Sequence, residues 1–579
     1  MRKVLQQLKQ YKKDTFLCIG LTALEVIMEI LLPFVTSMII DQGLEAANLS
    51  AVYRYGIVMV IMAALSLTFG ALAGKNAASA SSGLAANLRE AIYSNIQTFS
   101  FSNIDKFSVP GLVTRMTTDI TNVQNAYMMV IRVAVRAPLN IIFSYAMCLV
   151  ISPHLSAMFL IAVVFLVIVI GGIMLVTLKI FTQVFRSYDD LNASVQENVS
   201  AIRVVKAFVR EDHENIKFHK GAKKLYDLSV KAEGLLAFNN PAMMVAVYFC
   251  IISVSWFGAK FIVGGTMTTG DLTSLFSYIM ALLMSLMMLS MVVVMISMSM
   301  ASIRRISEVL NEKPDLTDPE NPVMEVPDGR IDFNHVNFSY KHGSGKNALS
   351  DINLHIKSGE TIGVIGGTGS GKSSLVNLIC RLYDVDDGSV CVGGVDVRKY
   401  DTEVLRNQVS VVLQKNTLFS GTILDNLRWG NPNATDEECI DACKAACADE
   451  FIDRMPDGYN TRIERGGANV SGGQKQRLCI ARALLKKPKV LILDDSTSAV
   501  DTATDASIRA AFAREIPGTT KIIIAQRISS VQAADRILVL DDGQINAFDT
   551  HENLLKTNAI YQEIYTSQLQ GGGDFDQPA

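Results

Sequence analysis

Six stretches of the chain are strongly apolar, near residues 15–40, 55–75, 128–151, 155–178, 242–263 and 273–300. Each is about 20 residues or longer, enough to cross a roughly 30 Å hydrocarbon core as a helix. Two intervals between them, roughly 76–127 and 179–241, are far longer than a connection requires and keep a helical periodicity with little proline. They predict spans that continue as long helices beyond the membrane, each pair ending in a short connector, near Ser102–Phe107 and Asp212–Phe218. Beyond about residue 300 the pattern changes to β-rich runs, Ile331–Tyr340, Thr361–Ile365, Lys489–Leu493 and Lys521–Ile524, alternating with helical segments. That alternation predicts an α/β domain. Between the two halves, Pro314, Pro319, Pro322 and Pro327 stand among acidic residues and mark a linker.

An even number of spans places both ends on one side. Arg2, Lys3, Lys9, Lys12 and Lys13 precede the first span, and Lys206, Arg210, Lys217, Lys220, Lys223 and Lys224 crowd the segment between spans four and five. The opposite loops, Asp41–Tyr53, Ser152–His154 and Gly264–Asp271, carry no lysine, so both termini are expected in the cytoplasm. The 579 residues are 49% hydrophobic and 19% charged, which suits partial exposure to lipid, whereas the net charge of −3 decides nothing. Nine cysteines lack paired spacing and read as reduced, buried thiols; Cys439, Cys443 and Cys447 share one helical face without a fourth ligand, which favours burial over metal. Met1–Asp14 is basic and amphipathic, and the apolar run after it is too long for a cleaved signal, so the first span reads as an uncleaved anchor.

Chemistry enters with Gly366, Gly367, Thr368, Gly369, Ser370, Gly371, Lys372, Ser373 and Ser374, which follow a strand and open a helical run. This is the context of a phosphate-binding loop: glycines let backbone N–H groups converge on phosphate oxygens, Lys372 reaches the β and γ phosphates, and Ser373 offers a hydroxyl to Mg²⁺. The fold class is therefore an all-α six-helix transmembrane domain followed by an α/β P-loop domain. Lys489–Asp494 is an apolar strand ending in a carboxylate, the form of a Walker B element that polarises Mg²⁺.

Ser471, Gly472, Gly473 and Gln474, ahead of that strand, resemble the signature of ATP-binding cassette proteins. The resemblance implies roles for further residues. Tyr340 would stack on adenine, Gln414 would sense Mg²⁺ and the membrane domain, Ser498–Asp501 would form the D-loop with Asp501, and Glu464–Gly466 would touch the connectors. Mg²⁺ would be held by Ser373, Gln414 and Asp494. The whole chain resembles a bacterial exporter half of the multidrug type: a membrane domain over residues 1–310, a linker over 311–329, a cassette over 330–568 and a disordered tail over 569–579. Such proteins place two cassettes head to tail around ATP, so each signature completes its partner's site.

Two positions depart from the family's hydrolytic pattern. Asp495 stands where a glutamate orients the attacking water, and a carboxylate displaced by about 1 Å can cost on the order of a hundredfold in rate. Gln526 stands where a histidine switches on the γ-phosphate, and an amide cannot carry that positive charge. The expectation is a chain that binds ATP with Mg²⁺ but hydrolyses slowly at its own site. It would pair as a heterodimer with a second half-transporter carrying the glutamate and the histidine, and export apolar or amphipathic compounds across the inner membrane. Lipid or peptide export and a homodimer are alternatives. A nucleotide-gated channel is disfavoured by the complete signature, and six spans exclude a soluble nucleic-acid-associated ATPase.

Within the spans, Glu25 and Glu29 lie one helical turn apart, as do Arg132 and Arg136. Buried charges of this kind fit two readings, substrate contact or ion pairs that fix helix packing. Met280, Met284, Met287, Met288, Met291, Met295 and Met298 line the sixth span, either as a pliable substrate surface or as packed or lipid-facing residues. Asn239-Asn240-Pro241 marks a gate or only a helix break in the fifth.

Overall fold

A computed structural model describes residues 2–340, 347–495 and 500–571. The chain divides into two compact units, one of residues 1–98 and 107–312, the other of residues 99–106 and 313–579.

The first unit is helical. Its long elements are α1 (Lys12–Ile39) and α2 (Leu49–Gln97), then, after the short α3 (Phe101–Phe107), α4 (Ile120–Ile151) and α5 (Pro153–Ser200). The short α6 (Ile202–Ala207) precedes α7 (Glu211–Ala237), α8 (Asn239–Val263) and α9 (Thr269–Asn311). Among the described residues, six helical segments are long and apolar enough to cross a membrane. Buried Val26, Ile30, Phe159, Leu166, Met243, Tyr278 and Leu282 form its principal core. Pro33 interrupts the backbone ladder of α1, and α9 bonds to the carbonyls nearby: Tyr278 Oη donates to Ile30 O at 2.9 Å and Ser274 Oγ to Pro33 O at 2.6 Å.

The first connector falls on α3 as expected, but the second does not fall on Asp212–Phe218, which lies inside α7. The chain turns ten residues earlier, through α6 and a left-handed Val209 (φ +51°). The break in the fifth span is a single turn residue, Phe238, with Asn239 opening α8 and the backbone bond from Ala242 N to Phe238 O kept at 3.1 Å. That is a helix break rather than an open gate.

The second unit is built on a six-stranded sheet of β3 (Thr361–Gly366), β5 (Val409–Val412), β6 (Val490–Asp494), β7 (Thr520–Ile524), β8 (Arg536–Asp541) and β9 (Gln544–Asp549). The order is β9-β8-β3-β7-β6-β5, parallel except for β9. A second sheet joins β1 (Ile331–Phe338), β2 (Leu349–Ile356) and β4 (Asp387–Val392). Parallel strands buried on both faces need continuous apolar runs, and β6 and β7 supply them as Val-Leu-Ile-Leu and Ile-Ile-Ile. Helices α10 (Lys372–Ile379), α11 (Gly472–Leu484) and α12 (Thr502–Glu515) accompany the sheet. The last helix, α13 (Ala559–Gly571), continues three residues into the stretch expected as tail; residues 572–579, like Ser498 and Ala499 of the D-loop, lie outside the described residues.

Candidate functional site

Strands β3 and β6 end at the same edge of the sheet, separated only by β7, and that edge gathers the sequence candidates. After β3 the chain turns through Gly369 (φ +83°) and Gly371 (φ +98°), backbones that would strain any side chain, and enters α10. Lys372 Nζ donates to Gly366 O at 2.9 Å and Gly367 O at 2.7 Å and lies 3.4 Å from Ser370 Oγ. Its ammonium is thus held over the loop whose N–H groups suit phosphate. Burial lowers the Lys372 pKa below the ordinary lysine value, while Asp494 and Asp495 oppose the shift. Thr368 is exposed in the same loop and Ser374 is buried beneath it.

Ser373 Oγ donates to Asp494 Oδ2 at 3.2 Å, joining the loop to the end of β6. A serine hydroxyl, an aspartate and the nearby Gln414 amide are hard oxygen donors, the set Mg²⁺ takes beside substrate phosphates. Burial raises the Asp494 carboxyl above the ordinary aspartate range and Asp495 adds to this, against the Ser373 hydrogen bond and Lys372. The next residue, Asp495, adopts a left-handed backbone (φ +48°) and its N–H donates to Ile524 O at 2.9 Å. Its Oδ2 accepts from Gln526 Nε2 at 2.9 Å and Gln414 Nε2 at 3.4 Å. The two residues that depart from the family pattern therefore touch each other.

Tyr340 is half-exposed, its hydroxyl 3.1 Å from Ser374 Oγ and accepting from Asn377 Nδ2 at 3.3 Å. Its ring meets Tyr383 edge-on, centroids 5.2 Å apart. Sequence reasoning missed Tyr383 and Asn377; an aromatic soon after the phosphate-loop helix was the available signal for Tyr383. Tyr383 Oη in turn donates to Asp105 Oδ2 of α3 at 2.7 Å.

Ser471 caps α11 reciprocally with Gln474: Gln474 N donates to Ser471 Oγ at 3.3 Å, and Ser471 N to Gln474 Oε1 at 2.9 Å. Gly472 and Gly473 fill the first turn, leaving a helix N-terminus without bulky side chains, a surface suited to phosphate. Asp501 caps α12 through Thr504 N at 2.9 Å. Gly466 takes a left-handed conformation (φ +69°) in the turn of Glu464–Gly466.

In the membrane unit, Arg136 bridges Glu25 at 3.0 Å and Glu29 at 2.5 Å, whereas Arg132 makes no ion pair among the described residues. Gly70 lies close against this cluster: a Cβ there would lie 2.9 Å from Glu25 Oε1 and would push the carboxylate aside. Met280, Met284, Met287, Met288 and Met291 are exposed, Met295 is half-buried, and the Met298 side chain lies outside the described residues. Cys439 and Cys443 are buried and all nine cysteines are free.

Comparison with known proteins places these features in one family. Residues 15–307 match the ABC transporter transmembrane region and residues 349–498 the ABC transporter domain. An uncharacterized ABC transporter ATP-binding protein, YfiB of Bacillus subtilis, is 36% identical over 98% of this chain and 99% of its own length. An ATP-dependent lipid A-core flippase of Desulfotalea psychrophila is 34% identical over 79% of this chain and 80% of its own. The fold is that of a bacterial Atm1-family ABC exporter solved with ATP bound, with a TM-score of 0.82 at 24% identity over 96% of this chain and 99% of the other. With a transmembrane region and an ATP-binding cassette on one polypeptide, the chain belongs to the ABC transporter family and couples ATP hydrolysis to transport.

Proposed function

We propose that this chain is the degenerate-site half of a heterodimeric exporter. Its own site holds MgATP through Tyr340, the loop Gly366–Ser374, Asp494 and Gln414, and turns it over slowly. The observation that carries this reading is the pair of amides on one carboxylate: Asp495 Oδ2 accepts from both Gln526 and Gln414. A carboxylate oxygen engaged by two amide donors is a poor base for water, and no group beside it can gain a proton's charge in the transition state. The signature Ser471–Gln474 has its helix cap intact, which suits completion of an active site on a partner that supplies the glutamate and the histidine.

The membrane side supports apolar or amphipathic cargo, with multidrug efflux as the leading class. The exposed methionines of α9 offer a deformable apolar surface. Lipid translocation is the second reading, favoured by the flippase among the relatives. The lysine-rich segment between spans four and five supports a bacterial inner-membrane protein with both termini and the cassette on the cytoplasmic side.

The test is ATPase activity of the chain reconstituted with half-transporter chains encoded beside it. The expected result is that Glu→Gln at the partner's Walker B position abolishes turnover. Rapid, substrate-stimulated hydrolysis by this chain alone as a homodimer would overturn the asymmetric reading.

A further inference from the structure

The segment after β7 that carries Gln526 is held from outside the nucleotide site by the last helix. Helix α13 is anchored on the cassette core through Ile560, Tyr561, Ile564 and Tyr565, with His551 Nδ1 2.7 Å from the Tyr561 hydroxyl. Three residues past Tyr565, Gln568 turns its amide onto the switch backbone. Its Nε2 donates to Gln526 O at 2.8 Å and its Oε1 accepts from Ile528 N at 2.8 Å. A primary amide presents a donor and an acceptor side by side, so this pair stands in for one rung of a backbone ladder.

The rung is placed where the sheet has stopped supplying bonds. The last backbone bond that this strand donates to β3 is Ala525 N to Val364 O at 3.3 Å. Farther along, Arg509, paired through Nη2 with Asp505 at 2.9 Å, donates from Nη1 to Ser529 O at 3.0 Å and ties the segment to α12. Gln568 grips the backbone of residue 526 itself, whose side chain donates to Asp495 at 2.9 Å.

We propose that Gln568 is a positioning residue for the switch: α13 sets where Gln526 meets Asp495 and, through that contact, the rate of the chemical step at this chain's own site. Nucleotide binding rests on Tyr340, Lys372 and Ser373, none of which Gln568 touches, so the effect falls on rate rather than affinity. The C-terminal helix thereby becomes a handle on the site, since pulling it from the cassette would release the switch without removing any nucleotide contact.

The test reads this chain's site alone, in the full-length chain and in the assembly it forms. Vanadate trapping of radiolabelled 8-azido-ATP, followed by separation of the chains, gives an initial rate and a half-saturating nucleotide concentration even for a slow site. Gln568→Ala is expected to speed trapping about threefold to tenfold, because a released Gln526 no longer holds its amide on the Asp495 carboxylate, with half-saturation unchanged within about twofold. In a Gln526→Ala background the same change is expected to add nothing, because the positioned group is gone. An unchanged rate, a rate loss, a change matched by altered binding, or full multiplication of the two effects would each overturn the proposal. Should Gln568→Ala fail to fold, the same cycle with Gln568→Glu, which keeps the acceptor for Ile528 N–H and loses the donor to Gln526 O, decides the matter.

Discussion

Gln526 Nε2 donates to Asp495 Oδ2 at 2.9 Å, so the two departures from the family's hydrolytic pattern form a single contact. Each satisfies the other, and restoring either alone leaves a mismatched pair: a histidine facing a short carboxylate, or a glutamate facing an amide. The double variant Asp495→Glu, Gln526→His is therefore expected to raise own-site turnover by about a hundredfold, and each single change by less than about threefold. Per-chain vanadate trapping measures this, and a double-variant gain no larger than the product of the two single gains would show that the two residues act independently.

Much of the architecture was legible because its signals are local. Six apolar runs, proline-poor extensions and a glycine-rich loop between a strand and a helix each announce an element within about 20 residues. The second connector was misplaced for a local reason as well. Glu211, Asp212 and Glu214 are first-turn acids that favour the start of α7, so the polar segment Asp212–Phe218 is helix, while the turn sits at Val209, whose left-handed backbone no glycine announces. The pairings of Tyr383 with Asp105 and of Gln568 with Gln526 were not legible, because each is brought together across the fold and neither Asp105 nor Gln568 carries a motif.

Lys372 gives the binding site a pH limit. Burial holds its ammonium below the ordinary lysine range, with Asp494 and Asp495 pulling it partly back. The charged form binds phosphate, so ATP affinity is full below the lowered pKa and falls as pH rises through it, earlier than for a free lysine. Phosphate contact favours the ammonium, so binding on the alkaline limb takes up a proton. Calorimetry in buffers of different ionisation enthalpy would detect that uptake. Lys372→Ala is expected to weaken ATP about tenfold to a hundredfold and to abolish the alkaline limb, consistent with loss of a charge-assisted bond of about 1.5–3 kcal/mol.

Tyr383 joins the connector helix to Tyr340, the tyrosine proposed to stack on adenine. Its hydroxyl donates to Asp105 at 2.7 Å, and its ring meets Tyr340 at 5.2 Å and Phe101 at 6.2 Å. Burial and Asp105 push the phenol up from its ordinary value, so it stays a donor across the working pH range. Tyr383→Phe keeps the ring and deletes the bond. Substrate stimulation of ATPase is expected to fall about threefold to fivefold with ATP affinity unchanged within about twofold, and Asp105→Asn should do the same without adding to it. Loss of affinity in place of stimulation would assign Tyr383 to nucleotide binding alone.

The acid–base cluster of the membrane unit separates packing from transport. Arg136 holds Glu25 at 3.0 Å and Glu29 at 2.5 Å, and Glu25 is only 7% exposed. Removing the cation leaves a buried carboxylate without its partner, a loss of about 3–5 kcal/mol where such a pair is broken in a protein interior. Part of that is regained by water at Glu29, which is more exposed, so Arg136→Gln is expected to lower thermal stability in detergent clearly but without abolishing folding. Adding Glu25→Gln removes the stranded charge and should recover part of the lost stability, which a thermal-shift double-mutant cycle would quantify. If the recovered protein also keeps its substrate profile, the cluster serves helix packing; if stability returns while the profile narrows, Glu25 contacts cargo as well as Arg136.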